Sequence, residues 1–133
     1  MKTFDVQAVA IGRPASAVFE YLADPANLPK WTHGFTRADA TSADMATPNG
    51  TLTIGLATLT NGAAGTIDWE MTMPDGAVGV AYSRVTPDGD ARSIYSFVLM
   101  APPVPLEMLE GALAAQIGIL AGELETLRAN LEA

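Results

Sequence analysis

Residues 11–31 read IGRPASAVFEYLADPANLPKW, and this stretch decides the order of elements on either side of it. Pro14 suits the first position of a helix, where its missing N–H is no loss. Val18, Phe19 and Leu22 then recur at helical spacing as a short apolar face. Asp24-Pro25 restarts the pattern, an aspartate placed to cap free N–H groups with a first-position proline behind it. Pro29 is expected to end this second, short helix, leaving Lys30-Trp31-Thr32-His33-Gly34-Phe35 as an exit loop. Upstream, residues 3–12 (TFDVQAVAIG) alternate loosely, with Phe4, Val6, Ala8 and Ala10 in one phase and Val9 and Ile11 in the other. That pattern predicts a strand partly buried on both faces.

Downstream, three similar tripeptides punctuate the chain: Pro48-Asn49-Gly50, Pro74-Asp75-Gly76 and Pro87-Asp88-Gly89. Each sets a proline where φ is held at about −65° and a glycine where φ turns positive. That is a three-residue hairpin loop closed by a glycine bulge. Asn61-Gly62 is a fourth hairpin signal, which Ala63-Ala64-Gly65 would lengthen. The result is a five-strand antiparallel meander over about 38–100, its first strand (Ala38 to Ala46) the weakest.

Turn geometry sets register, and register sets faces. Pro74-Asp75-Gly76 as a loop pairs Met73 with Ala77, Met71 with Gly79 and Trp69 with Ala81. Pro87-Asp88-Gly89 as a loop pairs Thr86 with Asp90 and sets Ala81 beside Tyr95, Gly79 beside Phe97 and Ala77 beside Leu99. One face then carries Ile67, Trp69, Met71, Met73, Tyr95, Phe97 and Leu99 around a strip of Ala77, Gly79, Ala81 and Ser83. Leu52, Ile54 and Leu56 join it. The other face carries Asp68, Glu70, Tyr82, Arg84, Arg92 and Ser96, with Val78, Val80, Ile94 and Val98 towards its far end. Bulky side chains flanking a small strip either lean over it or line a cavity, where the polar tips of Trp69 and Tyr95 would orient a ligand.

After Pro105 the chain predicts one helix to about Leu131, roughly 40 Å long. Leu106, Leu109, Leu113, Ile117, Leu120, Leu124, Leu127 and Leu131 recur at spacings of three and four, a stripe that must cover the inner face of the sheet. Gly111, Ala115, Gly118, Gly122 and Ala129 fall on the opposite side. Glycine on an exposed helix face costs about 1 kcal/mol against alanine. This back is therefore a candidate surface for a homodimer or a curling strand, with tolerated drift as the plain alternative.

Composition narrows the function. With 49% hydrophobic and 17% charged residues, the 133-residue chain is not a disordered one. It has no cysteine, which excludes disulfides, thiolate catalysis and cysteine-based metal centres, and its one histidine, His33, excludes a multi-histidine site. No metal and no cofactor are expected. A net charge of −8 argues against nucleic acid and against anionic lipid surfaces. Asp5 interrupts what would have to be a signal-peptide core, and Pro102, Pro103 and Pro105 cut the longest apolar stretch short of the ~18 residues a membrane span needs. A soluble, cytoplasmic protein is the expectation.

One strand, two short helices, an antiparallel meander and a long C-terminal helix is the order of the helix-grip fold, of the α+β class. Within residues 11–31, Pro14-Ala15, Val18-Phe19, Asp24-Pro25 and Trp31 resemble the opening signature of the START and pollen-allergen-like superfamily (SRPBCC), especially its polyketide cyclase/dehydrase-like bacterial members. By element order the resemblance covers residues 1–133. It implies a single domain in which a curved antiparallel sheet wraps around the long C-terminal helix. Family members commonly have seven strands, against the six counted here. Similar members bind lipids, polyketides, aromatics or other hydrophobic molecules, and some catalyse cyclisation or hydrolysis. No shared catalytic set exists to carry over.

The expected ligand is therefore a small hydrophobic molecule, aromatic or polyketide-like, between the C-terminal helix and the sheet. Candidate ligand-binding residues are Trp31, His33, Ile54, Trp69, Met71, Gly79, Ala81, Tyr95, Phe97, Leu113, Ile117 and Leu120. His33 and Tyr95 are the candidates for cyclase- or dehydratase-type proton transfer, His33 because histidine is the residue type that titrates near neutrality. The plainer reading of His33 is a surface loop residue. Asp68 and Glu70 share the outer face with Arg84 and Arg92, where a solvated charge cluster is expected. The alternative function is a non-enzymatic interaction or dimerisation module whose pocket its own side chains fill.

Overall fold

A computed structural model describes the backbone of residues 2–102 and 106–133, and the side chains of 2–102 and 111–133. The first strand, β1, is Phe4–Ile11, and α1 is Ala15–Ala23. Pro14 stands one residue outside α1 and supplies the carbonyl that Ala17 and Val18 N–H groups share, at 3.0 and 3.2 Å. The Asp24 carboxylate accepts the Ala26 N–H at 3.0 Å and starts a 3-10 turn over Pro25–Asn27, as the Asp-Pro pair predicts. Pro29 does not end a helix. It lies in the first turn of α2, Leu28–Trp31, where proline is tolerated because an N–H there would have no partner within the helix. Thr32 ends α2, its hydroxyl and N–H both donating to the Leu28 carbonyl, at 2.6 and 2.9 Å.

The remaining strands are β2 (Phe35–Ala38), β3 (Ser42–Thr47), β4 (Gly50–Asn61), β5 (Thr66–Thr72), β6 (Val78–Pro87) and β7 (Ser93–Met100). They form one antiparallel sheet in the order β1-β7-β6-β5-β4-β3-β2, with seven strands where six were expected. The weak strand expected over Ala38 to Ala46 is present as β3 from Ser42 onward, while residues 39–41 turn the chain back to an additional strand, β2, that was not expected. The Asp39 carboxylate accepts the N–H groups of Thr41 and Ser42 at 2.9 and 2.8 Å, which bends the chain without glycine or proline. Those two bonds, with Arg37 nearby, hold the Asp39 carboxyl down at about 2.

Three of the four hairpin registers differ from expectation, two of them by an even step. The loop after β6 runs over five residues, Asp88 to Arg92, closed by Asp88 N–H donating to the Arg92 carbonyl at 2.9 Å. Thr86 therefore pairs with Ile94, and Ala81, Ser83 and Val85 face Leu99, Phe97 and Tyr95. The loop after β4 spans residues 62–65, pairing Asn61 with Thr66 and Leu56 with Met71. Even steps keep every side chain on its own face. Ile67, Trp69, Ala81, Ser83, Val85, Tyr95 and Phe97 are accordingly buried, and Val78, Tyr82 and Ile94 are exposed on the other side. The Pro74-Asp75-Gly76 loop and its pairs, Met71 with Gly79 and Trp69 with Ala81, are as expected. The Pro48-Asn49 loop is one residue shorter, since Thr47 pairs directly with Gly50.

The C-terminal helix α3 is Leu106–Glu132, 27 residues, and packs along β1 and α2. Leu113, Leu120, Leu124, Leu127 and Leu131 are buried, each such side chain contributing roughly 1.5–3 kcal/mol. Ile117 is half-buried, and the side chains of Leu106 and Leu109 lie outside the described residues. Gln7 Nε2 donates to the Ile117 carbonyl at 3.0 Å, and Arg13 Nη1 to the Leu131 carbonyl at 3.0 Å, where a cation also offsets the negative end of the helix. The small-residue back of α3 is open at its glycines: among the described residues, a methyl at Gly111, Gly118 or Gly122 would meet no neighbouring atom within 4 Å. Among the described residues, no helix is long and apolar enough to cross a membrane. The whole is an α+β, helix-grip-like arrangement of a curled sheet and a long helix.

Candidate functional site

Between α3 and the inner face of the sheet lies a cleft of about 320 Å³. Three groups of residues build it. The sheet supplies Met45, Leu56, Trp69, Met71, Met73, Gly79, Ala81, Phe97 and Leu99; α3 supplies Gln116, Ile119, Leu120 and Glu123; the exit of α2 supplies Trp31, Thr32, His33, Gly34 and Phe35. Leu28, Val80 and the segment Met100 to Pro102 complete it. Pairing of Met71 with Gly79 and Trp69 with Ala81 explains its depth, because the small partner leaves room beside the large one.

Both tryptophans of the chain line this cleft. Trp31 and Trp69 sit with ring centres 6.4 Å apart, and Phe97 stacks on Trp69 at 6.2 Å. Tyr95 meets Trp31 and Phe97 edge-on, at 6.4 Å from each. Such offset and edge contacts make a stiff wall.

Residues 3–132 match the family model described as "Polyketide cyclase / dehydrase and lipid transport". The chain belongs to this family. No curated protein matches it in sequence. Among solved structures it is similar to the di-domain ARO/CYC BexL from the BE-7585A biosynthetic pathway, with TM-score 0.79 and 17% identity over 99% of this chain and 47% of that one. It thus spans about half the length of BexL. It is also similar to a START superfamily protein from Mycobacterium smegmatis (TM-score 0.69, 14% identity, 98% and 99% of the two chains). A third similar structure is the ZhuI aromatase/cyclase from Streptomyces sp. R1128 (TM-score 0.69, 12% identity, 97% and 93%). Identities this low carry the fold and nothing finer.

Of the candidate residues in this cyclase/dehydrase-family chain, Trp31, His33, Trp69, Met71, Gly79, Ala81, Phe97 and Leu120 line the cleft. Ile54, Tyr95, Leu113 and Ile117 do not. Ile54 is packed in the core, Leu113 is buried, Ile117 gives its carbonyl to Gln7, and Tyr95 is 0% exposed, one layer behind the wall. Burial pushes the Tyr95 phenol well up, and among the described residues its hydroxyl has no hydrogen-bond partner, the Ser83 hydroxyl beside it donating to the Ile67 carbonyl instead. A buried polar atom left unpaired costs free energy, so Tyr95→Phe is expected to hold or raise stability by up to about 1 kcal/mol and to leave cleft binding unchanged. Urea denaturation and a binding titration check it. Loss of binding would put the phenol in contact with the ligand.

His33 is exposed at the rim of the cleft. Among the lining residues that sequence reasoning missed is its neighbour, Glu123. Its carboxylate accepts the backbone N–H of His33, tying α3 to the exit of α2 across the mouth. Burial pushes the Glu123 carboxyl up, while the His33 N–H and the imidazole's charge pull it back down. His33 and Glu123 are the only titratable side chains among the described lining residues. A raised folded-state value means that the protonated form is favoured by folding. Stability from this group is complete below the ordinary glutamate range and is lost as pH rises through the folded value. Glu123→Gln keeps the acceptor and removes the titration. It is expected to raise the melting temperature at pH 7 and to make no difference at pH 4, as differential scanning calorimetry would show.

The charge cluster expected on the outer face does not form. Arg84 pairs across the sheet with Thr66 and Ser96, and its Nε donates to the Ala64 carbonyl at 3.1 Å. Arg92 lies in the lengthened hairpin loop. Among the described residues no ion pair joins Asp68 or Glu70 to either arginine.

Proposed function

We propose that the chain binds one small hydrophobic molecule, aromatic or polyketide-like, in the cleft between α3 and the sheet. The observation that carries this reading is the cleft itself: about 320 Å³, walled by Trp31, Trp69 and Phe97, softened by Met45, Met71 and Met73, with few polar side chains, Thr32, His33, Gln116 and Glu123. Ligand sites are typically about 300–1,000 Å³, mostly apolar, with a few convergent polar groups, and this cleft lies at the small end of that range. The described side chains do not fill it, which weighs against an interaction module with a closed pocket. Family membership supports the same reading, since cyclisation, dehydration and lipid transport all handle small hydrophobic molecules. Proton transfer, where a bound molecule undergoes cyclase- or dehydratase-type chemistry, falls to His33 and Glu123 and not to Tyr95.

Native mass spectrometry with added 2-naphthol tests the reading. A one-to-one adduct is expected, and Ala81→Phe, which fills the floor of the cleft, should abolish it while circular dichroism stays native. Absence of an adduct, or an equal adduct in Ala81→Phe, would overturn it. The same spectrum reads the homodimer that the open back of α3 suggests.

A further inference from the structure

Charge around the cleft is one-sided, and this extends the ligand-binding reading, on which it rests. None of the chain's seven Lys and Arg residues lines the cleft. Lys2 is held by Asp5, Arg37 by Asp39 and Asp44, and Arg128 by Glu125 and Glu132. Arg13 and Arg84 donate to the carbonyls of Leu131 and Ala64. Lys30 and Arg92 are exposed outside the cleft. Residues 103–110 read PVPLEMLE, so that stretch brings no cation either. Besides His33 at the exposed rim, the one ionisable side chain among the described lining residues is the acid Glu123.

Glu123 has one oxygen to spare. Its Oε2 accepts the His33 N–H, and among the described residues its Oε1 accepts nothing. An ionised carboxylate is an acceptor only, so the free oxygen can satisfy a ligand's hydroxyl but not a ligand's oxyanion. An anion entering the cleft past the His33 rim would leave water without gaining a lysine or arginine and would face a like charge at Glu123.

We propose that the ligand is an uncharged aromatic or polyketide-like molecule bearing a hydroxyl donor that Glu123 Oε1 receives, and that the cleft rejects carboxylates, fatty acids included. Glu123 then sets specificity through polarity, while Trp31, Trp69 and Phe97 hold the rings.

Isothermal titration calorimetry at pH 7.5 with four probes of one ring system tests this. 2-Naphthol carries a donor, 2-methoxynaphthalene lacks it, 2-naphthoate is an anion, and 2-naphthylmethylammonium is a cation. The expected order in wild-type protein is 2-naphthol at least tenfold tighter than 2-methoxynaphthalene, with 2-naphthoate weaker still. Glu123→Leu should bring naphthol and methoxynaphthalene level, and Glu123→Gln should strengthen 2-naphthoate. A purely structural role for Glu123 would weaken all probes alike and leave their order unchanged, which overturns the assignment. Tighter binding of 2-naphthoate or of the ammonium than of 2-naphthol overturns it as well. Saturable binding of all probes without rank order defeats this inference alone, whereas binding by none defeats the ligand-binding reading and this inference together.

Discussion

Gly65→Ala is expected to cost about 3–4 kcal/mol of stability, far more than alanine at the other turn glycines. Gly65 has φ +75° and closes the β4–β5 loop, its N–H donating to the Asn61 carbonyl at 2.8 Å and its carbonyl accepting from Val85 N–H at 2.8 Å. Those bonds press the residue onto β6, and a Cβ there would run into the Val85 carbonyl oxygen, which is backbone and cannot turn aside. The cost combines a left-handed conformation, about 1–2 kcal/mol, with a forced backbone shift of about 1–3 kcal/mol. Gly76 is the control. Its φ is +90° but a Cβ there meets nothing within 4 Å, so Gly76→Ala should cost only about 1–2 kcal/mol. Guanidinium denaturation of the two variants separates strain from collision, and equal midpoints would contradict the account of the loop.

Trp31→Ala carries the second large effect, about 3–5 kcal/mol, as for other buried aromatic truncations. Trp31 is 4% exposed and stands where α2, the sheet and the cleft meet, against both Trp69 and Tyr95. Its removal takes away one wall of the cleft and the packing that fixes Trp69. Stability and 2-naphthol binding should therefore fall together. Trp31→Phe keeps a ring in place and should lose about 1–2 kcal/mol while still binding. Full retention of binding in a folded Trp31→Ala protein would place the ligand elsewhere.

Faces were more legible than partners. A strand's side chains alternate with period two, so Trp69, Met71, Phe97 and Leu99 could be assigned to the inner face even though two loops are longer than their turn tripeptides suggest. The direct neighbours could not. Tyr95 faces Val85 and not Ala81, because the polar run from Asp88 to Arg92 closes a wider loop than Pro87-Asp88-Gly89 alone would. The seventh strand was hidden by chemistry outside the usual punctuation: the Asp39 side chain does the work of a turn residue two and three positions before Thr41 and Ser42. The run Asp39-Ala40-Thr41-Ser42 at the start of a weak strand is the signal that could have found it.

The cleft was legible where face and access coincide. Ile54, Leu113 and Ile117 share the inner faces with the lining residues, but periodicity reports which side a residue takes and not whether neighbours cover it. Gln116, Ile119 and Glu123 were missed for the complementary reason. They recur every three to four residues as a ridge flanking the leucine stripe, and a flanking ridge on a helix that crosses a sheet borders any opening beside it. Glu123 follows Leu120 by three, which is the spacing that could have drawn attention to it.

The central claim is that a hydrophobic molecule occupies the cleft between α3 and the inner face. A proton–nitrogen NMR spectrum titrated with 2-naphthol tests it most directly, since both indole N–H signals of the chain belong to residues lining the cleft. Saturable shifts are predicted for the Trp31 and Trp69 indoles and for the backbone amides of Gly34, Gly79 and Ala81, with Val78, Tyr82 and Ile94 on the outer face unmoved. Shifts confined to the outer face, or no saturable shift at either indole, would contradict the account.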